Sequence, residues 1–418
     1  MKLRNVLAAG VALSAISAPA FAQEGAPAAD GDPVLGDNVI IVTAVAQGQN
    51  RLESSVSVSA LDAESIADLN PSSSADLIRQ IPGIRSEASG GEGNANIAVR
   101  GIPVSTGGAR YIQLQEDGLP VLEFGDIVFG NADNFVRADR NVGRVEAVRG
   151  GSASTFASNS PGGVINFISK TGLEEGGAVA GTIGIDHETY RLDFDYGGAL
   201  DATSYFHVGG FYRTGEGVRD TGFNGKEGGQ IKANLTTEFD GGYIRVHGKY
   251  LDDSTPTILP QPVAVTGTDS DPDYTAIANF DPRTASLYSR YISAARTLDG
   301  DNNPTTYDIH DGLSVKSAAF GVEAEVEFAP GWTLTNRFRY ADNSGSFVSP
   351  FPASVGDAQT IADGIGGAGS SIVLASGPDA GQTGANPATL GGNGLLTNVV
   401  LFNVRLNDLD YLVNDLRV

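Results

Sequence analysis

Over long stretches of the chain's second half, apolar and polar residues alternate with period two. In residues 189–196, Tyr190, Leu192, Phe194 and Tyr196 alternate with Arg191, Asp193 and Asp195. In residues 230–239, Ile231, Ala233, Leu235 and Phe239 alternate with Gln230, Lys232, Asn234 and Glu238. Residues 244–250, 320–328 and 332–340 repeat the pattern, the last with Trp332, Leu334, Phe338 and Tyr340 against Arg337 and Arg339. Alternation of this kind places the two sets on opposite faces of a strand. Each stretch is about ten residues long, enough to cross a bilayer as a tilted strand.

Tight turns such as Asp240-Gly241-Gly242 and Pro330-Gly331 join these strands on one side, and a polar excursion over residues 252–316 lies on the other. Short turns on one side and long loops on the other, with an apolar outer face and a charged inner one, predict a transmembrane barrel. A soluble sandwich also alternates, but this charged face is too polar to pack against a second sheet. Seven or eight strands are present up to residues 398–406. A barrel wide enough to hold a plug needs about 22, and an open edge in lipid leaves unpaired backbone groups. The expectation is an incomplete barrel over residues 173–418, part of a longer protein.

The first 172 residues are organised differently. Lys2 and Arg4, the apolar run 6–16 and Ala20-Phe21-Ala22 predict a secretory signal peptide over residues 1–22. Residues 23–50 predict a disordered leader containing one β-branched run, Val39, Ile40, Ile41, Val42, Thr43 and Ala44. No further folded domain is expected between the signal peptide and residue 51. Residues 51–172 predict a mixed α+β domain. It has short helices at 62–69 and 74–80, strands at 97–100, 112–116, 144–149 and 164–169, and a turn at Asp117-Gly118. No stretch is long and apolar enough for a helical span.

Composition narrows the class. The 418 residues include 50 acidic and 27 basic side chains, for a formal charge of −23, and no cysteine. Such acidity argues against nucleic-acid binding, and the absence of cysteine removes any disulfide framework.

Several stretches resemble the TonB-dependent receptor family. Residues 39–44 look like its TonB box, Ser74 to Ile84 (SADLIRQIPGI) like an early plug helix, and Ile97 to Gly101 like its Arg-Gly element. Val145 to Lys170 (VEAVRGGSASTFASNSPGGVINFISK) resembles the closing plug signature, with Gly151 where many relatives carry proline. The resemblance implies a plug domain followed by an antiparallel transmembrane β-barrel. It also implies active import across the outer membrane of a Gram-negative bacterium, with TonB, lipid and a small-molecule substrate as partners. A ferric siderophore is the commonest cargo, with carbohydrate or cobalamin as alternatives; a passive porin has no need of a plug. Arg100 and Arg149 are expected to contact barrel carboxylates. The box itself, uncharged and β-branched, suits strand addition to a partner's sheet edge. Loop tips at 105–110 and 124–135 offer Arg110, Phe124, Phe129 and Phe135 for ligand contact.

Other chemistry is poorly supported. Gly90 to Gly93 and Gly150-Gly151 lack the Gly-Lys-Ser/Thr of a phosphate loop. The Asp-rich pieces at 269–273 and 299–303 miss the glycine that an EF-hand requires at its sixth position. His187, His207, His247 and His310 are scattered without ligand spacing. Two of them fall on polar strand faces, where a solvated lumen is expected. No GxSxG occurs. The sequence predicts no enzyme, no cofactor and no metal site.

Overall fold

Caps and turns written in the sequence set the short elements of the N-terminal part. The computed structural model describes residues 40–43, 49–50, 57–88, 90–102, 108–124, 126–127, 129–150 and 157–418. The signal peptide, most of the leader, Val39, Ala44 and loop residues 105–107 lie outside them. Strand β1 (Ile40–Ile41) pairs antiparallel with β2 (Gln49–Asn50). Strand β3 (Val58–Asp62) runs into α1 (Ala63–Leu69), where Asp62 caps the helix by accepting from Ser65 N. Helix α2 (Ser74–Arg79) is capped in the same way, Asp76 N donating to Ser73 Oγ. Its inward residues Leu77 and Ile78 are fully buried.

Next come β4 (Ile84–Glu87), β5 (Asn96–Val99), β6 (Ile112–Glu116), β7 (Leu119–Pro120), β8 (Asp126–Ile127), β9 (Gly130–Asn131), β10 (Val142–Arg149) and β11 (Gly163–Ser169). Five of these strands form one mixed sheet in the order β3-β10-β11-β6-β7, in which β11 and β6 are parallel. Only Asp117 and Gly118 separate Glu116 from Leu119, and both have positive φ (51° and 81°). A two-residue hairpin turn of that kind favours Asp-Gly. The core beneath the sheet gathers Leu77, Ile78, Leu114, Val145, Ile165 and Phe167.

The alternating segments form a second, nine-stranded antiparallel sheet. It contains β12 (Gly176–Ile183), β13 (Glu188–Ala199), β14 (Ser204–Gly217), β15 (Lys226–Phe239) and β16 (Gly242–Thr255). The long excursion follows and carries two hairpins, β17 (Ala264–Thr268) with β18 (Asp271–Thr275) and β19 (Ala294–Leu298) with β20 (Pro304–Asp308). The sheet resumes with β21 (Leu313–Ala329) and β22 (Trp332–Asp357). After α3 (Ala358–Gly366), β23 (Leu395–Leu406) and β24 (Tyr411–Arg417) pair with successive parts of β22. The sheet does not close, because β12 and β23 share no pairing.

The apolar set faces outward: Tyr190, Phe194, Leu235, Ile244, Phe320 and Trp332 are all exposed. The polar set points the other way, and Asp193, Asp195, Arg213, Gln230 and Arg339 are buried. A soluble protein would do the reverse, so the outward face is built for a hydrocarbon solvent. Among the described residues no helix is long and apolar enough to cross a membrane. Strand β22 is much longer than the stretch read from alternation, because the polar run Asp342 to Ser346 ends the apolar pattern without ending the strand. The incomplete barrel of the sequence reading is observed as this open sheet.

Candidate functional site

The inward face of the large sheet lies against the N-terminal part, and charged side chains fill the join in three clusters. At the long-loop end, Glu92 of the Gly90–Gly93 loop pairs with Arg213 on β14 and with Lys226 on β15, the latter at 2.7 Å. Beside it, Asp253 on β16 accepts from Arg213 Nη2 at 2.6 Å and from Arg137 Nε at 2.7 Å. Arg137 comes from the N-terminal part, so the cluster bridges both parts with no more than 15% of any of these side chains exposed. Gly91 has φ +112°, and a Cβ there would meet the Pro256 carbonyl oxygen at 2.9 Å. Only glycine lets the loop approach the long excursion so closely.

In a second cluster, Glu116 at the end of β6 takes Lys249 from β16 and, at 3.3 Å, Lys232 from β15. Arg339 on β22 donates to the carbonyls of Glu116, Leu119 and Pro120. In a third cluster, Asp195 on β13 accepts from Arg140 at 2.9 Å and from Lys170 at 2.7 Å. Gln230 donates to Asp139 at 2.8 Å.

Burial alone would push Glu92 and Glu116 toward the neutral form. The cations on the sheet outweigh it: Arg213 and Lys226 hold Glu92 below the ordinary carboxylate range, and Lys232, Lys249 and Arg339 hold Glu116 well below it. Buried charges persist only when paired, and each partner here is supplied across the join.

The arginines expected to make these contacts lie elsewhere. Arg100 donates to Ser57 Oγ at 2.9 Å, and Arg149 donates to the Pro82 carbonyl and Ser57 Oγ. The two sit near each other on the N-terminal part, and the hydrogen bonds described for them stay within it. Arg137, Arg140 and Lys170 pair with the carboxylates Asp253 and Asp195 of the large sheet, and Glu92 and Glu116 add pairs of opposite polarity. Period-two alternation had exposed the sheet side of this network, since Lys232, Lys249 and Asp195 all stand in the polar set. No local signal marks Glu92, Arg137 or Asp139, whose importance depends on what lies opposite.

The ligand-contact candidates also separate. Phe124 is exposed and Arg110 is exposed. Phe129, at φ +67°, stacks on Phe347 of β22 with ring centroids 4.4 Å apart, and is an anchor against the sheet. Phe135 is 1% exposed and belongs to the core. The 3₁₀ turn Ala132–Phe135 tucks it inward, which an aromatic in a glycine-rich stretch did not reveal. Nor is the whole polar face solvated: His207 is buried with its Nε2 3.5 Å from Asp195, because the N-terminal part covers it. Among the described residues no group of three His, Asp or Glu is placed to hold a metal. Asp299 is occupied as the acceptor of a turn, taking Asp301 N and Asn303 N.

Two residues of the β-branched run 39–44 are also held by a carboxylate of the N-terminal part. Val42 N and Thr43 N both donate to Glu146 of β10.

Residues 50–164 match the profile of the TonB-dependent Receptor Plug Domain. That stretch is a TonB-dependent receptor plug domain, and the chain is similar to members of that receptor family. Its N-terminal part is thus the plug, and the large sheet is the barrel wall. Ferric enterobactin receptor PirA of Pseudomonas aeruginosa is 26% identical over 263 residues, covering 53% of this chain and 34% of the relative. Vitamin B12 transporter BtuB of Photobacterium profundum is 29% identical over 150 residues, covering 34% of this chain and 22% of the relative. In fold, the chain is similar to P. aeruginosa FpvA, solved bound to heterologous pyoverdines. That likeness has a TM-score of 0.51 at 17% identity, over 75% of this chain and 37% of the other. The chain spans about a third of the length of the curated ferric enterobactin receptors it matches.

Proposed function

We propose that this chain is the plug and first wall strands of an outer-membrane importer in a Gram-negative bacterium. It takes up a ferric siderophore under traction from TonB. The observation that carries the reading is the plug seated against the wall through ion pairs in a sheet whose outward face is apolar. Ion pairs and hydrogen bonds across a polar join can be exchanged for water when the plug is pulled, whereas an apolar interface of the same size has no such substitute. A passive pore gains nothing from a lumen filled in this way.

The handle is the run from Val39 to Ala44, in which β-branched and small residues suit strand addition through main-chain hydrogen bonds. Iron chelates are favoured by the names of two curated relatives, both ferric enterobactin receptors. A cobalamin cargo is the second reading, supported by the match to a vitamin B12 transporter. Arg110 and Phe124, both exposed on the plug, are the ligand contacts in either case.

The test is uptake by a deletion strain complemented with the full-length gene. Ferric siderophore accumulation should return with the wild type and fail when residues 39–44 are removed, while surface binding of the chelate persists. Normal accumulation without that run would exclude the handle. Restored growth on cobalamin but not on any ferric chelate would exchange the cargo.

A further inference from the structure

We infer that Glu146 is a latch that holds the strand-addition segment against the plug and competes directly with the partner for the same backbone donors. The proposal uses the strand-addition role above only for its consequence; the latch itself rests on geometry.

One carboxylate oxygen, Glu146 Oε2, accepts from Val42 N at 3.0 Å, from Thr43 N at 2.9 Å and from Thr43 Oγ1 at 2.6 Å. Asn166 on the neighbouring strand β11 secures the same threonine, its Nδ2 donating to Thr43 Oγ1 at 3.1 Å. Glu146 lies in the middle of β10 with no exposed surface, and Arg144 Nε stands 2.9 Å from its other oxygen. Nothing in the sequence near residue 42 announces this arrangement, since the latch is 103 residues away along the chain.

The chemistry makes docking and strand addition exclusive. A strand added to a sheet edge offers its N–H groups to carbonyls of the partner. The N–H groups of Val42 and Thr43 are already committed to an anionic acceptor, and charge-assisted bonds of this kind are about twice as strong as neutral ones. The partner's carbonyls are neutral. They cannot outbid the carboxylate at these two positions until the segment leaves Glu146.

The latch is nevertheless breakable. Val42, Thr43, Arg144 and Asn166 line a polar cavity of about 200 Å³ that reaches the wall at Tyr243 and Arg245. Water in that space can replace the released donors and acceptor one by one, so opening does not require the plug core to unfold. Neutralising Glu146 without changing its shape should therefore free the segment and leave the plug folded.

The experiment uses the full-length receptor in detergent, without substrate. These 418 residues contain no cysteine, so Val42→Cys, in a full-length receptor cleared of any cysteine outside them, gives a single attachment point for a nitroxide spin label and retains the backbone donor. In Glu146→Gln the ratio of mobile to immobile label should rise at least tenfold. The affinity for the periplasmic domain of TonB should rise by a similar factor. Thr43→Val, which removes the hydroxyl that donates to Glu146 and accepts from Asn166 but keeps both backbone donors, should give a smaller change of a few-fold and provides the reading if Glu146→Gln does not fold.

Unchanged label mobility in both folded variants would overturn the latch. Increased mobility would support it even if the TonB domain bound no variant, an outcome that would instead remove the handle role proposed above. TonB binding that is lost on deleting residues 40–43, but equal in wild type and Glu146→Gln, would keep the handle and overturn the competition.

Discussion

Asp253 shows how the site works at the level of a single residue. Its carboxylate is buried between Arg213 of the wall and Arg137 of the plug, at 2.6 and 2.7 Å. Removing one member of a buried ionic cluster costs more than the cluster contributes, because the remaining charges lose their solvation and their partner together. Asp253→Ala should lower stability by about 3–5 kcal/mol, read as a large fall in the thermal midpoint in detergent. Exposed Asp281, paired with Arg283 at the surface, should give almost no change on the same substitution. The two plug glutamates set the pH response. Their pKa values in the folded state lie below the ordinary value of 4.5. Their contribution is therefore fully present above the unfolded value and is lost as pH falls through the folded one. Plug–wall cohesion should stay level from neutral pH down to about 4.5 and weaken only below it, as followed by proteolysis of a released plug. Weakening already between pH 7 and 5 would count against these pairs as its main support.

At the scale of elements, the strands of the wall carry the claim that the sheet faces lipid. Val246 lies on the outward face of β16 and is exposed. In water, arginine there would be nearly neutral, as most surface substitutions are. In a bilayer, Val246→Arg should cost about 2–4 kcal/mol when near the midplane, read by unfolding from lipid vesicles. His247, the adjacent residue on the same strand, faces inward, so His247→Arg should be far milder in that assay. The plug elements follow more local rules. Helix starts at 62 and 74 were legible within a residue of the observed Ala63 and Ser74, because helix-start signals are local in sequence. The hairpin turn at Asp117-Gly118 was legible because its two positive φ angles restrict which residues fit.

For the whole molecule, the consequence of the network is that the plug is retained by polar contacts shared with the wall. Glu92→Gln combined with Glu116→Gln removes the anions paired with Lys226, Lys232 and Lys249 and leaves Arg213 with Asp253 alone. The uncompensated cations should loosen the plug. In planar bilayers, the full-length receptor should then pass ionic current that the wild type blocks. An equally tight double variant would show that other contacts hold the plug.

The sequence by itself determined the elements and the solvent they meet. Alternation in residues such as Tyr190 to Tyr196 specifies a strand with one apolar and one charged face, and period two is a local property of the backbone. It also carried the plug signature and the turn positions. Only the tertiary structure decided which charges meet. Arg100 and Arg149 had the promising sequence context, yet Arg137, Arg140 and Lys170 reach the wall. Phe135 looked like a loop tip and is core, and Glu146 finds its partners at Val42 and Thr43. Pairing energy depends on distances of about 3 Å between residues far apart in sequence. Such distances are fixed only when two separately patterned surfaces close on each other and exclude water.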